Sequence, residues 1–247
     1  MDRNYWEKIA PDYNEEIFDV LKNDKKGLIV SAIKNVASKN KTVIDIGCAI
    51  GKWLPVLSSV FKKVYAVDIS AENLEIAKKL YSKLSNVEYD RIDMSNAKAK
   101  MPLCDVGICI NAILTDSLKK RNVFFTNLKK CIKKNGFLIL VIPSLESSLL
   151  TSIIRQRWDP DNDAKAAIKK NKSGTQLKNI LQGNAEIDHV PTKHYLKEEL
   201  QLLLANEGFK TQDVCKIEYE WSTEFLKPPG WLTEPKPWDW MVMARKL

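Results

Sequence analysis

The chain has 247 residues, 45% of them apolar, enough to core one α/β domain with additions or two small domains. No apolar run reaches the length of a membrane span, so no membrane is expected as a partner. The net charge of +8 leaves nucleic acid open, but the bases are scattered, as in Lys119-Lys120-Arg121 and Lys129-Lys130, and solvated helix faces explain them without an RNA-binding module.

The five cysteines show no C-x-x-C spacing, and four lie in apolar patterns. They read as reduced core residues. Met1-Asp2-Arg3-Asn4 opens no signal-peptide pattern, and the expected location is cytoplasmic.

Residues 1–40 carry Tyr5, Trp6, Ile9, Tyr13, Ile17 and Phe18 at near-helical spacing, interrupted by Pro11. A second helix is predicted from Leu28 to Ala37. Together they read as a helical cover for a sheet. Thr42 to Ile46 is an apolar, β-branched run too short for a helix, so it is a buried strand. Asp45 interrupts it. Gly47 and Gly51 follow, then a helix that begins around Trp53 with Pro55 in its first turn. Strand, glycine-bearing turn and helix set backbone N–H groups beside a ligand at the sheet's carboxyl edge. A second strand, Val64 to Asp68, ends in another carboxylate, roughly 20 residues past the glycines, the spacing at which an acid takes a ribose hydroxyl pair. Ser70 can cap a helix from Ala71 to about Lys83.

An acid in the first strand, glycines in the turn and an acid ending the second strand resemble the class I S-adenosylmethionine-dependent methyltransferases. One departure is visible: the family's middle glycine is Ala49. An NAD site fits worse, because G-x-G-x-x-G would require glycine at Ala49 and Lys52. The resemblance implies S-adenosylmethionine as cofactor and S-adenosylhomocysteine as product; two lone histidines and no clustered cysteines make no zinc site, and no metal is expected. The resemblance implies a cofactor site of Asp45, Gly47, Cys48 and Gly51 in the turn, with Asp68 and Ile69 after the second strand. Tyr13 in the aromatic segment is expected to fold over it.

A third strand, Val87 to Ile92, ends at Asp93-Met94. By the same resemblance Asp93 accepts from the adenine amino group and Met94 packs on the ring; the alternative for Asp93 is a turn or cap residue. Residues 105–114 give the fourth strand and its exit, with Asn111 at the carboxyl end. The prolines and aromatic of the family's nucleobase and glutamine methylating members are missing after Asn111, so it is expected to be a cofactor-pocket residue. A helix from Lys119 to about Lys133, a left-handed cap at Asn135-Gly136 and a strand from Phe137 to Ile142 complete the βαβ rhythm.

Residues 145–194 break that rhythm. Asp159, Asp161 and Asp163 alternate as in a calcium loop, but Ala164 and Lys170 stand where the loop needs glycine and glutamate. An amphipathic helix from Lys197 to Glu207, a strand from Thr211 to Trp221 and a last strand from Trp240 to Arg245 come next. The expected fold is α/β, doubly wound, with a mostly parallel seven-stranded sheet in the order 3-2-1-4-5-7-6, the last strand antiparallel, and helices on both faces. The expected parts are a helical cover (1–40), the core (41–144 and 195–247) and an inserted substrate lid (145–194). The lid and loop 222–237 both leave the sheet at its ligand edge, so both are expected over the cavity mouth. An oxygen or thiol acceptor needs a base, and His189 and His194 are the two histidines, so they are the candidate catalytic residues; each can equally be structural. The expected activity is methyl transfer to a small organic acceptor. An RNA or protein methyltransferase and a non-catalytic binding module on the same fold are the alternatives.

Overall fold

A computed structural model describes residues 3–158, 181–187 and 190–247. The N-terminal segment is helical: α1 (Arg3–Ile9), a 3-10 turn (Ala10–Asp12), α2 (Tyr13–Glu16), α3 (Val20–Asn23) and α4 (Leu28–Val36). The alternation then begins: β1 (Thr42–Ile46), α5 (Leu54–Val60), β2 (Lys63–Asp68), α6 (Ala71–Leu80), β3 (Val87–Arg91), β4 (Cys104–Ile110), α7 (Leu118–Cys131) and β5 (Ile132–Pro143). After it come α8 (Leu145–Trp158), the hairpin β6 (Asn184–Ile187) and β7 (Val190–Lys193), α9 (Lys197–Asn206), β8 (Phe209–Glu218) and β9 (Trp238–Lys246).

Seven strands form one sheet in the order β3-β2-β1-β4-β5-β9-β8. β9 runs antiparallel to both its neighbours and the other pairs are parallel. With the hairpin set apart, this is the doubly wound order read from the sequence. The strands are apolar on successive residues because both faces are covered. Ile44, Ile46, Cys109, Leu138 and Leu140 bury one face against Phe125 and Leu128 of α7 and Leu200 and Leu204 of α9. Val43, Val64, Ala66, Val106 and Ile108 bury the other against α4, α5 and α6.

Local signals explain most of the helix starts. Ser70 accepts from Asn73 N at 3.1 Å and caps α6. Pro55 stands in the first turn of α5, where its missing N–H costs nothing.

Two expectations are corrected. Helix α7 stops at Cys131, and β5 begins at once with Ile132, paired to Cys104. Its buried side chain fits because Gly107 leaves room: a Cβ there would stand 2.7 Å from Ile132 Cδ1. The left-handed residue, Asn135 at φ 63°, lies in the irregular start of β5 and not at a helix cap. Second, loop 222–237 packs sideways on α8. Trp221 and Leu232 bury against Ile154, with Leu150 and Phe225 around them. The apolar residues of the loop find a surface on that helix, which draws it away from the cavity mouth.

Leu57 is fully buried on the α5 face of the sheet. Leu57→Ala is expected to cost about 2–5 kcal/mol of stability, read as a lower urea midpoint at unchanged slope.

Candidate active site

The strand ends β1, β2, β3 and β4 meet beneath the N-terminal helices around a cavity of about 430 Å³. Tyr13, Asp45, Gly47, Cys48, Asp68, Ile69, Asp93, Met94 and Asn111 all line it. Gly51 does not. At φ 84° it turns the chain under α5, where a Cβ would meet Leu54 Cδ1 at 2.6 Å and Ala77 Cβ at 3.2 Å, so its role is close packing of turn and helices. Gly47, at φ 71°, has no room for a side chain either, because a Cβ would run into that of Ala112.

Asp68 organises the turn. Its Oδ2 accepts from Ala49 N at 2.9 Å and its Oδ1 from Ser70 N at 2.8 Å. Burial pushes its carboxyl above the usual range, while these N–H groups pull it back. Ala49, where the family has glycine, sits at φ 48°. A left-handed alanine costs roughly 1–2 kcal/mol, and the bond to a buried carboxylate offsets part of it.

Asp45 is 2% exposed, and its Oδ2 has no hydrogen-bond partner. Burial, and then the charge of Asp68, push its carboxyl up to about 7. Such an orphaned acceptor in a cavity wall fits a cationic ligand group. Asp93 is both a turn residue and a wall residue. Its Oδ1 accepts from Ser95 N at 2.8 Å and Ser95 Oγ at 2.6 Å, and its side chain still faces the cavity beside buried Met94.

The cover is held by contacts that the sequence does not announce. Tyr5, Trp6, Ile17 and Phe18 line the cavity with Tyr13. Glu7 reaches from α1 to the start of α6, where its carboxylate accepts from Ser70 Oγ at 2.8 Å, Ala71 N at 3.1 Å and Glu72 N at 3.1 Å. Against the upward push of burial, these donors hold its carboxyl at about 2. Lys52 pairs with Asp19 at 2.8 Å and stands 5.6 Å from the centre of the Tyr13 ring. Burial, and then Asp68, push the Tyr13 phenol well above its ordinary value. The signals for Lys52 and Asp19 in the sequence were only a charge beside a glycine and a cap before a short helix.

The histidines fare differently. His194 is 7% exposed and lies off the cavity, between β7 and α9. Its backbone N donates to Gly183 O at 2.8 Å and its Nδ1 lies 3.0 Å from Thr192 O. Burial lowers its basicity. It therefore fills a packing position rather than the catalytic one expected. His189 lies outside the described residues. Ile187 of the hairpin does reach the cavity wall. Among the described residues no group of three or more His, Cys, Asp or Glu forms a metal site, and none of the helices is long and apolar enough to cross a membrane.

The raised carboxyl of Asp45 has a measurable sign. Between about pH 4 and about pH 7 the native group holds a proton that the unfolded chain has released, so its contribution to stability falls as pH rises and levels off above about 7. Urea melts of the ligand-free protein should show wild type losing stability relative to Asp45→Asn across that window, with the variant the more stable at pH 8.

Residues 13–214 match the family model described as a methyltransferase domain. No curated protein sequence matches the chain. Among solved structures, a SAM-dependent methyltransferase from Methanosarcina mazei is similar at 19% identity, covering 87% of this chain and 97% of its own, with a TM-score of 0.61. The N-methyltransferase NodS of Bradyrhizobium japonicum, in complex with S-adenosyl-L-homocysteine, is similar at 12% identity, 99% and 97% coverage and a TM-score of 0.62. Magnesium protoporphyrin IX methyltransferase of Synechocystis, with the same ligand bound, gives 15%, 99%, 98% and 0.59. Such identities speak for the fold; the family model, which spans most of the chain, speaks for membership. The chain belongs to the methyltransferase domain family, on the class I Rossmann-like fold whose cofactor is S-adenosylmethionine.

Proposed function

We propose that the protein transfers the methyl group of S-adenosylmethionine to a small organic acceptor inside this cavity. The observation that carries the reading is the covered cavity itself. Its walls hold two strand-end acids, Asp45 and Asp68, together with the aromatic side chains of Tyr5, Trp6, Phe18 and Phe124. A chamber of about 430 Å³ under aromatic cover suits a ligand that is buried and desolvated.

The residues present fit the cofactor. The unpartnered Asp45 Oδ2 supports a seat for its ammonium end. Asp68, next to the start of α6, would take the ribose hydroxyls. Asp93 and Met94 suit the adenine edge and face. When bound, the cofactor supplies an electrophilic methyl group on a sulfonium leaving group. The chain's own work is then alignment and the exclusion of water. Ile187 of the hairpin and the N-terminal helices line the cavity, which supports the roles of cover and substrate lid for the described parts of segments 1–40 and 145–194.

The first test is a thermal melt with S-adenosylhomocysteine. At a hundred times its Kd the ligand should add about 2.7 kcal/mol, a rise of roughly 5–10 °C. A rise, followed by label transfer from methyl-labelled S-adenosylmethionine to pooled amines, phenols, carboxylic acids or thiols and not to RNA, is the expected result. No rise at millimolar ligand would favour a binding module that has lost the cofactor.

Glu7→Ala offers a second test. It removes the carboxylate that ties the cover to α6, and S-adenosylhomocysteine affinity measured by calorimetry should fall roughly tenfold. Unchanged affinity would separate the cover from cofactor retention.

A further inference from the structure

Asn111 stands where β4 leaves the sheet, at φ 48°, with its backbone N bonded to Val141 O at 2.9 Å. Its side chain has two unlike ends. Nδ2 donates to Asp239 Oδ2 at 2.9 Å, whereas Oδ1 is buried without a partner. Asp239 is the second residue of the antiparallel strand β9, opposite Pro143, and is 9% exposed. The same Oδ2 accepts the Tyr219 hydroxyl at 2.8 Å. The Tyr219 and Phe18 rings in turn pack in a T shape with their centres 4.6 Å apart, and Phe18 belongs to the cavity wall. Asn111 lines the cavity; Tyr219 and Asp239 lie behind it.

An amide of this kind could face either way, since its two ends are nearly equal in size. The group behind it decides. Burial pushes the Asp239 carboxyl above its ordinary range, while its Asn111 and Tyr219 donors pull it back; with both of those donors on its Oδ2 it holds the Nδ2 end of the amide and leaves Asn111 Oδ1 without a partner. Burying that carboxylate is costly, and two donors on one oxygen make it tenable. Asp45, on the neighbouring paired strand, presents a second unpartnered acceptor in the same wall. Two orphaned acceptors on adjacent strand ends call for one group that carries several N–H donors and a positive charge.

We propose that Tyr219 and Asp239 are positioning residues that hold the Asn111 amide with its oxygen free, so that Asn111 and Asp45 together seat the α-ammonium of the cofactor. The proposal rests on the reading of the cavity as a cofactor site and assigns a task to Asp239 of β9 and to Tyr219 just after β8, neither of which lines the cavity.

Calorimetry with two ligands tests it. S-adenosylhomocysteine carries the amino-acid end; 5′-methylthioadenosine has the same nucleoside and thioether without it. In Asp239→Asn the new amide can donate to Asn111 and turn it. That variant should bind S-adenosylhomocysteine roughly tenfold more weakly or worse, with 5′-methylthioadenosine affinity unchanged. Tyr219→Phe should show a smaller loss with the same selectivity, and serves alone if Asp239→Asn does not fold. Equal weakening of both ligands, or of neither, overturns the positioning role. A wild-type protein that binds neither ligand overturns the cofactor site, and the proposal with it.

Discussion

A carboxylate buried at the end of a parallel strand needs donors, and here the donors are backbone. Asp68 holds Ala49 N with one oxygen and Ser70 N with the other, so one side chain fixes both the turn after β1 and the entry to α6. The left-handed backbone at Ala49 persists because its N–H is committed to that acid. Ser70, held in place, caps α6 and also donates to Glu7. The floor of the cavity and its cover therefore share one anchor. Were the acid lost, the turn would relax, the cap would lose its fixed position, and α1 would lose its docking point.

A similar arrangement stands on the far side of the cavity. Asp239 lies between two tryptophans in β9, Trp238 and Trp240, each under a tenth exposed. An apolar strand tolerates a charge only if the charge is bonded, and Asn111 and Tyr219 supply those bonds. Two acids that interrupt apolar strands, Asp45 and Asp239, thus bracket the cavity wall from β1 and from β9. One has an oxygen without a partner, and the other directs a neighbour's amide.

Much of this was legible in the sequence because strands buried on both faces are written as continuous apolar runs. The strand order follows once those runs are separated by helices and one antiparallel strand closes the sheet. The acids Asp45 and Asp68 were legible for the converse reason, as charges where the pattern has no room for them. Asp239 carried the same signal, but its meaning depends on Asn111 and Tyr219, and the approach of β4 to β9 is purely tertiary. Glu7 was hidden likewise, since a cap that comes from another helix leaves no mark at local spacing. His194 misled because a histidine reads the same whether it faces a ligand or, as here, sits buried against Thr192 O. The end of α7 was misplaced because propensity runs on to Lys133, whereas the gap left by Gly107 draws Ile132 into the sheet.

The contact of Glu7 with the start of α6 has one further consequence. A helix N-terminus beside an acid proposed to take ribose hydroxyls is a natural seat for a phosphate, since its free N–H groups and its dipole both favour negative charge. In this chain the N–H groups of Ala71 and Glu72 are already occupied by a carboxylate from the protein's own first helix. A nucleoside bearing a phosphate on its ribose would have to displace Glu7, and with it the cover, and would meet a second negative charge in Asp68. The first helix thus sets the chain's own anion on the N–H groups that a bound phosphate would otherwise use.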